Sequence, residues 1–221
     1  MYGIQEPSRK IVISQEIDQT LAYAVIEQIM EINDIDMERD KVLKDYEPQP
    51  IEIFINSGGG SVTDGFAIVD AMEMSQTPII TYGMGLVASM ALAIFVAGDV
   101  RIASRHTRFM YHSISYGMIG YIQDHEDMGK ETDLLQRMYN SLMFERTKFT
   151  EEQLQKIRAM KKDYFFSSKQ AVKYGVADEF MKKPEKKIMT AEEMEEFEKE
   201  IEKQMKLLEA EAMQEGEEVV E

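Results

Sequence analysis

The stretch Ile51-Glu-Ile-Phe-Ile-Asn-Ser-Gly-Gly-Gly-Ser-Val-Thr-Asp-Gly-Phe-Ala-Ile-Val-Asp-Ala-Met72 decides the fold. Ile51–Asn56 reads as an apolar strand, and Ser57-Gly58-Gly59-Gly60 as a sharp turn. Val62, Phe66, Val69 and Met72 then recur at helical spacing. A second unit repeats the pattern. Pro78–Tyr82 is a buried strand that leads through Gly83 and Gly85 into Ala88–Ala97, apolar all round and so a buried helix. Upstream, Lys10–Ser14 is a short β-branched run. Leu21, Ala24, Val25, Ile29 and Ile32 follow at helical spacing behind Asp18, an N-cap candidate. Asn33 to Pro50 is polar and reads as a helix end plus a surface loop. Downstream, Val100–Ala103 and Phe109–Tyr111 are strands, and Ile122–Lys148 is one long helix with Leu134, Met138 and Leu142 as its stripe. Shorter helices follow at Glu151–Arg158 and Ser168–Tyr174, the latter stopped by Gly175. Strands alternating with helices predict an α/β fold of crossover units around a mainly parallel sheet.

Composition bounds the chemistry. The chain has 221 residues, 44% of them hydrophobic, enough for a sizeable core. It has no cysteine, which excludes disulfides, cysteine-ligated metals and a thiol nucleophile. Neither a His-x-x-x-His pair nor a calcium loop occurs, so no metal and no cofactor is expected. Net charge is −16, which argues against nucleic acid or an anionic membrane as partner. There is no apolar run of 18 residues and no basic-then-apolar leader, and the expected location is cytoplasmic. Residues 191–221 hold 13 Glu against 3 Lys, a net of −10. We therefore expect a folded body over 1–182 and an acidic amphipathic tail over 183–221. Thr190 and Glu193 fit a capping box, and Met194, Phe197, Ile201, Met205 and Leu208 form one stripe of a helix that docks on its own protein or on a partner. Gly216 and the closing residues read as frayed.

Two glycine turns invite chemistry. Gly58–Gly60 offers backbone N–H groups at a helix start, but neither the dinucleotide fingerprint nor the P-loop spacing is met. The turn is either structural, for positive φ, or an anion-stabilising loop. The second, Gly83-Met-Gly-Leu-Val-Ala-Ser89, puts one hydroxyl at the mouth of an apolar helix. Ser89 is an N-cap or a nucleophile. A serine nucleophile needs a base, and the chain has three histidines. His106 and His125 lie in polar surroundings. His112 closes the apolar strand Phe109-Met110-Tyr111, where a fixed imidazole is either structural or a general base.

Four motifs in series resemble one family: Ile55-Asn-Ser-Gly-Gly-Gly-Ser-Val62, Gly85-Leu-Val-Ala-Ser-Met90, Arg108-Phe-Met-Tyr-His112, and Lys162-Asp-Tyr-Phe-Phe-Ser-Ser-Lys-Gln-Ala-Val-Lys-Tyr-Gly175. From about Lys10 to Phe180 the chain resembles the proteolytic subunit of the Clp protease. The resemblance implies a ClpP/crotonase-like architecture of repeated ββα units, with a long protruding helix for ring stacking. It also implies a serine endopeptidase that cuts unfolded polypeptides or short peptides inside a ring assembly. Ser89 would be the nucleophile, His112 the base and Asp163 its orienting carboxylate. The N–H groups of Gly59 and Met90 would form the oxyanion hole, and Gly60, Ser61, Ile114 and Ser115 would bind substrate. The implied partners are copies of the chain itself, in a heptameric ring stacked as a tetradecamer, and a ring-shaped AAA+ ATPase unfoldase. The order Ser, His, Asp and the lack of Gly-x-Ser-x-Gly disfavour an α/β-hydrolase.

The chain departs from the family pattern in places. Gly58 stands where proline is usual, so the loop should be less rigid. Ser113-Ile114-Ser115 replaces Gln-Pro-Leu in the segment that lines the family's substrate channel. Some nine residues precede the first strand, where the family generally carries a longer pore-gate segment. Three other readings follow: a catalytically silent ring subunit or scaffold, a viral capsid-maturation protease of this type, and a crotonase-like acyl-CoA enzyme.

Overall fold

A computed structural model describes residues 7–160, 162–183, 190, 194–195 and 197–205. The chain divides into two compact units, Met1–Met181 and Lys182–Glu221. In the first unit the strands are β1 (Lys10–Ile13), β2 (Ile51–Ser57), β3 (Ile79–Ala88), β4 (Val100–Ala103), β5 (Arg108–Tyr111), β6 (Tyr164–Ser167) and β7 (Glu179–Phe180). The helices are α1 (Gln19–Val42), α2 (Val62–Met74), α3 (Met90–Ala97), α4 (Ile122–Arg146), α5 (Glu151–Met160) and α6 (Ser168–Lys173). Strands β1-β2-β3-β4-β7 lie side by side, each parallel to its neighbour. The fold is the expected α/β type with a mostly parallel sheet.

One strand joins two layers. The first half of β3 pairs with β4, from Ile80↔Val100 to Gly83↔Ala103. Its second half pairs with β5, from Leu86↔Arg108 to Ala88↔Met110. Between them the register to β2 slips: Ile55 faces Gly83, but Ser57 faces Val87. Gly85 takes the turn at φ +55, and Asn56 holds the bulge by accepting the Leu86 N–H at 3.0 Å. A side chain at 85 would meet Asn56 Oδ1 at 2.5 Å, which accounts for the glycine. The strand expected to end at Tyr82 thus runs on to Ala88, and the helix expected from Ala88 begins at Met90.

The core lies between the sheet and α1, α2 and α3. In β2 the inward Ile51, Ile53 and Ile55 are fully buried, each contributing roughly 2 kcal/mol of burial. Every residue of α3 is buried, as its unbroken apolar sequence requires. Asp18 caps α1 by accepting the Leu21 N–H at 2.8 Å. Helix α1 continues to Val42, well past the expected end near Asn33, because its inward stripe Val25, Ile29, Ile32 is completed by Asp36. That carboxylate is buried and accepts from Arg9 (2.9 and 2.5 Å), Thr77 (2.6 Å) and Tyr46 (2.6 Å). Burial alone would push the Asp36 carboxyl up, but the bonds from Arg9, Thr77 and Tyr46 outweigh it and hold it at about 2.

Helix α4 corrects a second expectation. Leu134 and Met138 are exposed, whereas the buried face is Gln136, Tyr139, Leu142 and Met143. Helix α4 packs chiefly against α3, with a lighter contact to α5, and among the described residues nothing covers Ile122 and Met128 of its first turns, which are exposed. Strands β6 and β7 were not anticipated. In the second unit, residues 194–195 and 197–205 are helical, and Met194, Phe197, Ile201 and Met205 are exposed. The Met194 N–H donates to Thr190 C=O at 2.9 Å. Glu193, Leu208 and Gly216 lie outside the described residues.

Candidate active site

Ser89 stands where β3 gives way to α3, and its backbone is strained. Its φ of 54° and ψ of −128° place it among the few non-glycine residues with positive φ, at a cost of about 1–3 kcal/mol. Three bonds hold it there. The Ser89 N–H donates to Met110 C=O (3.0 Å), and its C=O accepts from the Leu92 N–H (2.9 Å) and the buried Tyr139 hydroxyl (3.0 Å). This backbone turns the side chain away from α3, so the hydroxyl makes no capping bond. Instead Ser89 Oγ lies 2.7 Å from His112 Nε2. Of the two readings of Ser89, the cap is excluded by geometry.

Sheet register brings the other two residues in. Strand β5 carries Met110 beside Ala88, which sets His112, two residues on, against Ser89. Strand β6 runs antiparallel to β5, with Arg108↔Ser167 through Tyr111↔Tyr164. One further step in that register puts His112 opposite Asp163. The His112 Nδ1–Asp163 Oδ1 distance is 3.7 Å, an ion contact but longer than a hydrogen bond. The carboxylate is about half exposed, and the imidazole is 27% exposed. One arm of the Ser-His-Asp constellation is formed and the other is open. His106 and His125 are both exposed.

The glycine loop differs in detail from expectation. The Gly59 N–H, expected to face an oxyanion, donates to Ser57 Oγ at 3.2 Å, and Ser57 Oγ in turn donates to Gln15 C=O at 2.6 Å. Gly60 is the residue that lines the cleft with Ser89 and Met90. It sits at the centre of an isolated parallel bridge, where the Ile17 N–H reaches Gly59 C=O and the Ser61 N–H reaches Ile17 C=O. A residue in that position turns its own N–H away from the partner strand. Met90 is the first residue of α3, so its N–H has no acceptor within the helix. Gly59 still shapes the loop: at φ +103, an added Cβ would meet Ser89 Cβ at 2.6 Å.

The cleft over Ser89 is small, about 70 Å³. Ile114 and Ser115 line it as expected of substrate-binding residues; Ser61 does not. The Ser61 hydroxyl serves as the α2 cap, accepting the Asp64 N–H at 3.4 Å. Two residues escaped sequence reasoning. Gln136, buried at 2% exposure, accepts the Ile114 N–H (2.8 Å) and donates to Tyr111 Oη (3.2 Å) and Asn140 Oδ1 (2.8 Å). Tyr139 stacks on Tyr111 at 5.4 Å and braces the Ser89 carbonyl. Burial raises the Tyr139 hydroxyl well above its usual range and Tyr111 to about 12, so both stay neutral donors. Among the described residues no cluster of three or more histidines and carboxylates could hold a metal. No helix among them is long and apolar enough to cross a membrane.

Comparison with known proteins identifies the family. A family model, Clp protease, matches residues 2–184. The chain belongs to the Clp protease family. Its activity is that of a serine-type peptidase. Among its Clp protease relatives, an ATP-dependent Clp protease proteolytic subunit 2 of Corynebacterium efficiens is 35% identical over 172 residues, 77% of this chain and 80% of that one. The protein of that description from Rhodococcus jostii is 33% identical over 172 residues (77% and 82%). The one from Treponema pallidum is 28% identical over 178 residues (80% and 83%). Among solved Clp protease structures, a mutant ClpP1 from Listeria monocytogenes superposes with a TM-score of 0.67 at 29% identity, covering 79% of this chain and 92% of that one.

Proposed function

We propose that the chain is an endopeptidase of unfolded polypeptides or short peptides, with Ser89 as nucleophile, His112 as general base and Asp163 as its orienting carboxylate. The observation that carries this reading is the 2.7 Å contact between Ser89 Oγ and His112 Nε2 at a strained strand-to-helix junction. The imidazole takes the serine proton as Oγ attacks the carbonyl, then returns it to the departing amine. The N–H groups of Gly60 and Met90 stabilise the oxyanion, with the positive end of α3 behind them. Asp163 acts by approaching Nδ1 as the imidazolium forms, closing the 3.7 Å gap to hydrogen-bond length. The segment from Ser113 onward, held by Gln136 at Ile114, offers free backbone to an extended substrate.

The active form, in this reading, is a heptameric ring stacked in pairs. The exposed first turns of α4, with Ile122 and Met128, and the exposed Ile119 and Tyr121 support burial against other copies. An AAA+ ATPase partner rests on the relatives' description as ATP-dependent. Residues 183–221 are the acidic tail in this reading. Intact mass after fluorophosphonate treatment tests the nucleophile. One stoichiometric adduct on the wild type and none on Ser89→Ala is expected; an adduct on both, or on neither, would overturn the assignment.

A further inference from the structure

Two cavities meet at His112. The small one over Ser89 contains the oxyanion donors. The other, about 420 Å³, shares His112, Ile114 and Ser115 with the first, adds Ser113, Arg158, Lys162 and Asp163, and touches neither Ser89, Gly60 nor Met90. In a triad the acyl half of the substrate stays over the serine and the oxyanion donors, while the amine departs past the imidazole that protonates it. The larger cavity therefore lies on the leaving-group side, a placement that rests on the triad proposed above.

Its lining is unusual for a chain of net charge −16. Arg158 and Lys162 bring two cations to it. Arg158 Nη2 contacts Asp133 Oδ1 at 2.6 Å, but both side chains are about half exposed. Such a pair is worth little, and the guanidinium keeps four further N–H donors. Lys162 makes no ion pair with a described residue. The buried Ser113 Oγ has no hydrogen-bond partner, a cost of about 1–3 kcal/mol unless a ligand satisfies it. Asp163 adds one negative charge to the same wall, but it faces His112 Nδ1. The unanswered groups are an ammonium, most of a guanidinium and a hydroxyl, all donors.

We propose that this cavity is a carboxylate-binding subsite on the leaving-group side. Arg158 and Lys162 would take an Asp or Glu side chain in the first or second position after the cut, or the C-terminal carboxylate of a short peptide, with Ser113 as a third donor. Partly exposed ion pairs predict a preference of about three- to tenfold over a neutral isostere.

The test uses full-length Ser89→Ala protein, which binds without cutting. Fluorescein-labelled alanine-rich decapeptides are titrated by fluorescence anisotropy in three versions: a single Asp with an amidated C-terminus, the Asn isostere with an amide, and the Asn isostere with a free acid. The Asp or the free-acid version should bind about three- to tenfold tighter than the Asn amide, and which of them gains identifies the carboxylate's source. The ratio should collapse to about one in Ser89→Ala/Arg158→Gln/Lys162→Gln and at about 1 M salt, where charges are screened within roughly 3 Å. Equal binding of all three peptides, or an acidic advantage that survives the two glutamines, would overturn the subsite. A failed triad shows separately, as wild type that neither cuts peptide nor accepts fluorophosphonate.

Discussion

Replacing Gly59 by alanine should disable the enzyme without touching a reacting group. Gly59 has φ +103, and a Cβ built on it lies 2.6 Å from Ser89 Cβ, 2.9 Å from Ala88 O and 3.0 Å from Met90 N. Ordinary contact starts at 3.4 Å, so the loop or the nucleophile must retreat by about 0.8 Å. Two of the three clashing atoms are backbone and cannot rotate aside. Misplacement on the order of 1 Å costs roughly 10²-fold in rate, and withdrawing the adjacent Gly60 N–H costs about 10²–10³-fold. The left-handed backbone adds about 1–3 kcal/mol of strain to the folded state. We expect kcat/KM for a fluorogenic peptide to fall about 10²–10³-fold, and fluorophosphonate labelling to slow in parallel, on protein still folded by circular dichroism. Gly58→Ala is the control. A Cβ there meets nothing within 4 Å, and activity should stay within threefold of wild type. If folded Gly59→Ala matches that control, the loop does not set the oxyanion geometry and the donor assignment fails.

Ser89→Ala and His112→Ala should each abolish peptide cleavage while leaving the assembly's elution volume unchanged. Asp163→Asn should cost less than the ~10⁴-fold of a buried triad carboxylate, because this one is half exposed and 3.7 Å from the imidazole; a loss as large as that of Ser89→Ala would refute the open-arm geometry. Tyr139→Phe removes the hydroxyl that donates to Ser89 C=O and should lower stability by about 1 kcal/mol, with a loss of kcat and little change in KM. Asp36 predicts an acid limit. Its carboxyl is lowered from 3.8 to about 2, so its stabilisation is complete above pH 4 and fades as pH falls toward 2. The gap is worth about 2.5 kcal/mol. The urea-midpoint difference between wild type and Asp36→Asn should shrink over that window; a constant difference would sink the argument.

Polar residues in apolar positions mark where the sequence misleads. The stripe Val25, Ile29, Ile32 breaks at Asp36 when read as hydrophobicity, yet continues unbroken as geometry. The reason is Arg9, 27 positions away, which neutralises the carboxylate. Gln136 does the same in α4, where Leu134 and Met138 of the expected stripe are displaced from the buried face of Gln136, Tyr139, Leu142 and Met143. Strand β6 is four residues long with Phe165 facing out, too short for alternation to register. Ser89 and His112 stood out in the sequence because an apolar helix and an apolar strand each end on one polar residue. The choice between Gly59 and Gly60 did not. It depends on a bridge to Ile17, and spacing along the chain carries no trace of that contact.

The pairing of β5 with β6 also sets a clock on synthesis. His112 and Asp163 face each other only through a register between strands separated by two helices and some fifty residues. A ribosome that has delivered everything through α5 has made a chain with a serine and a histidine but no carboxylate to steady them. The last residue of the proposed triad arrives just ahead of the strand that places it, so a nascent chain holds Ser89 and His112 without Asp163 until little of the body remains to be made.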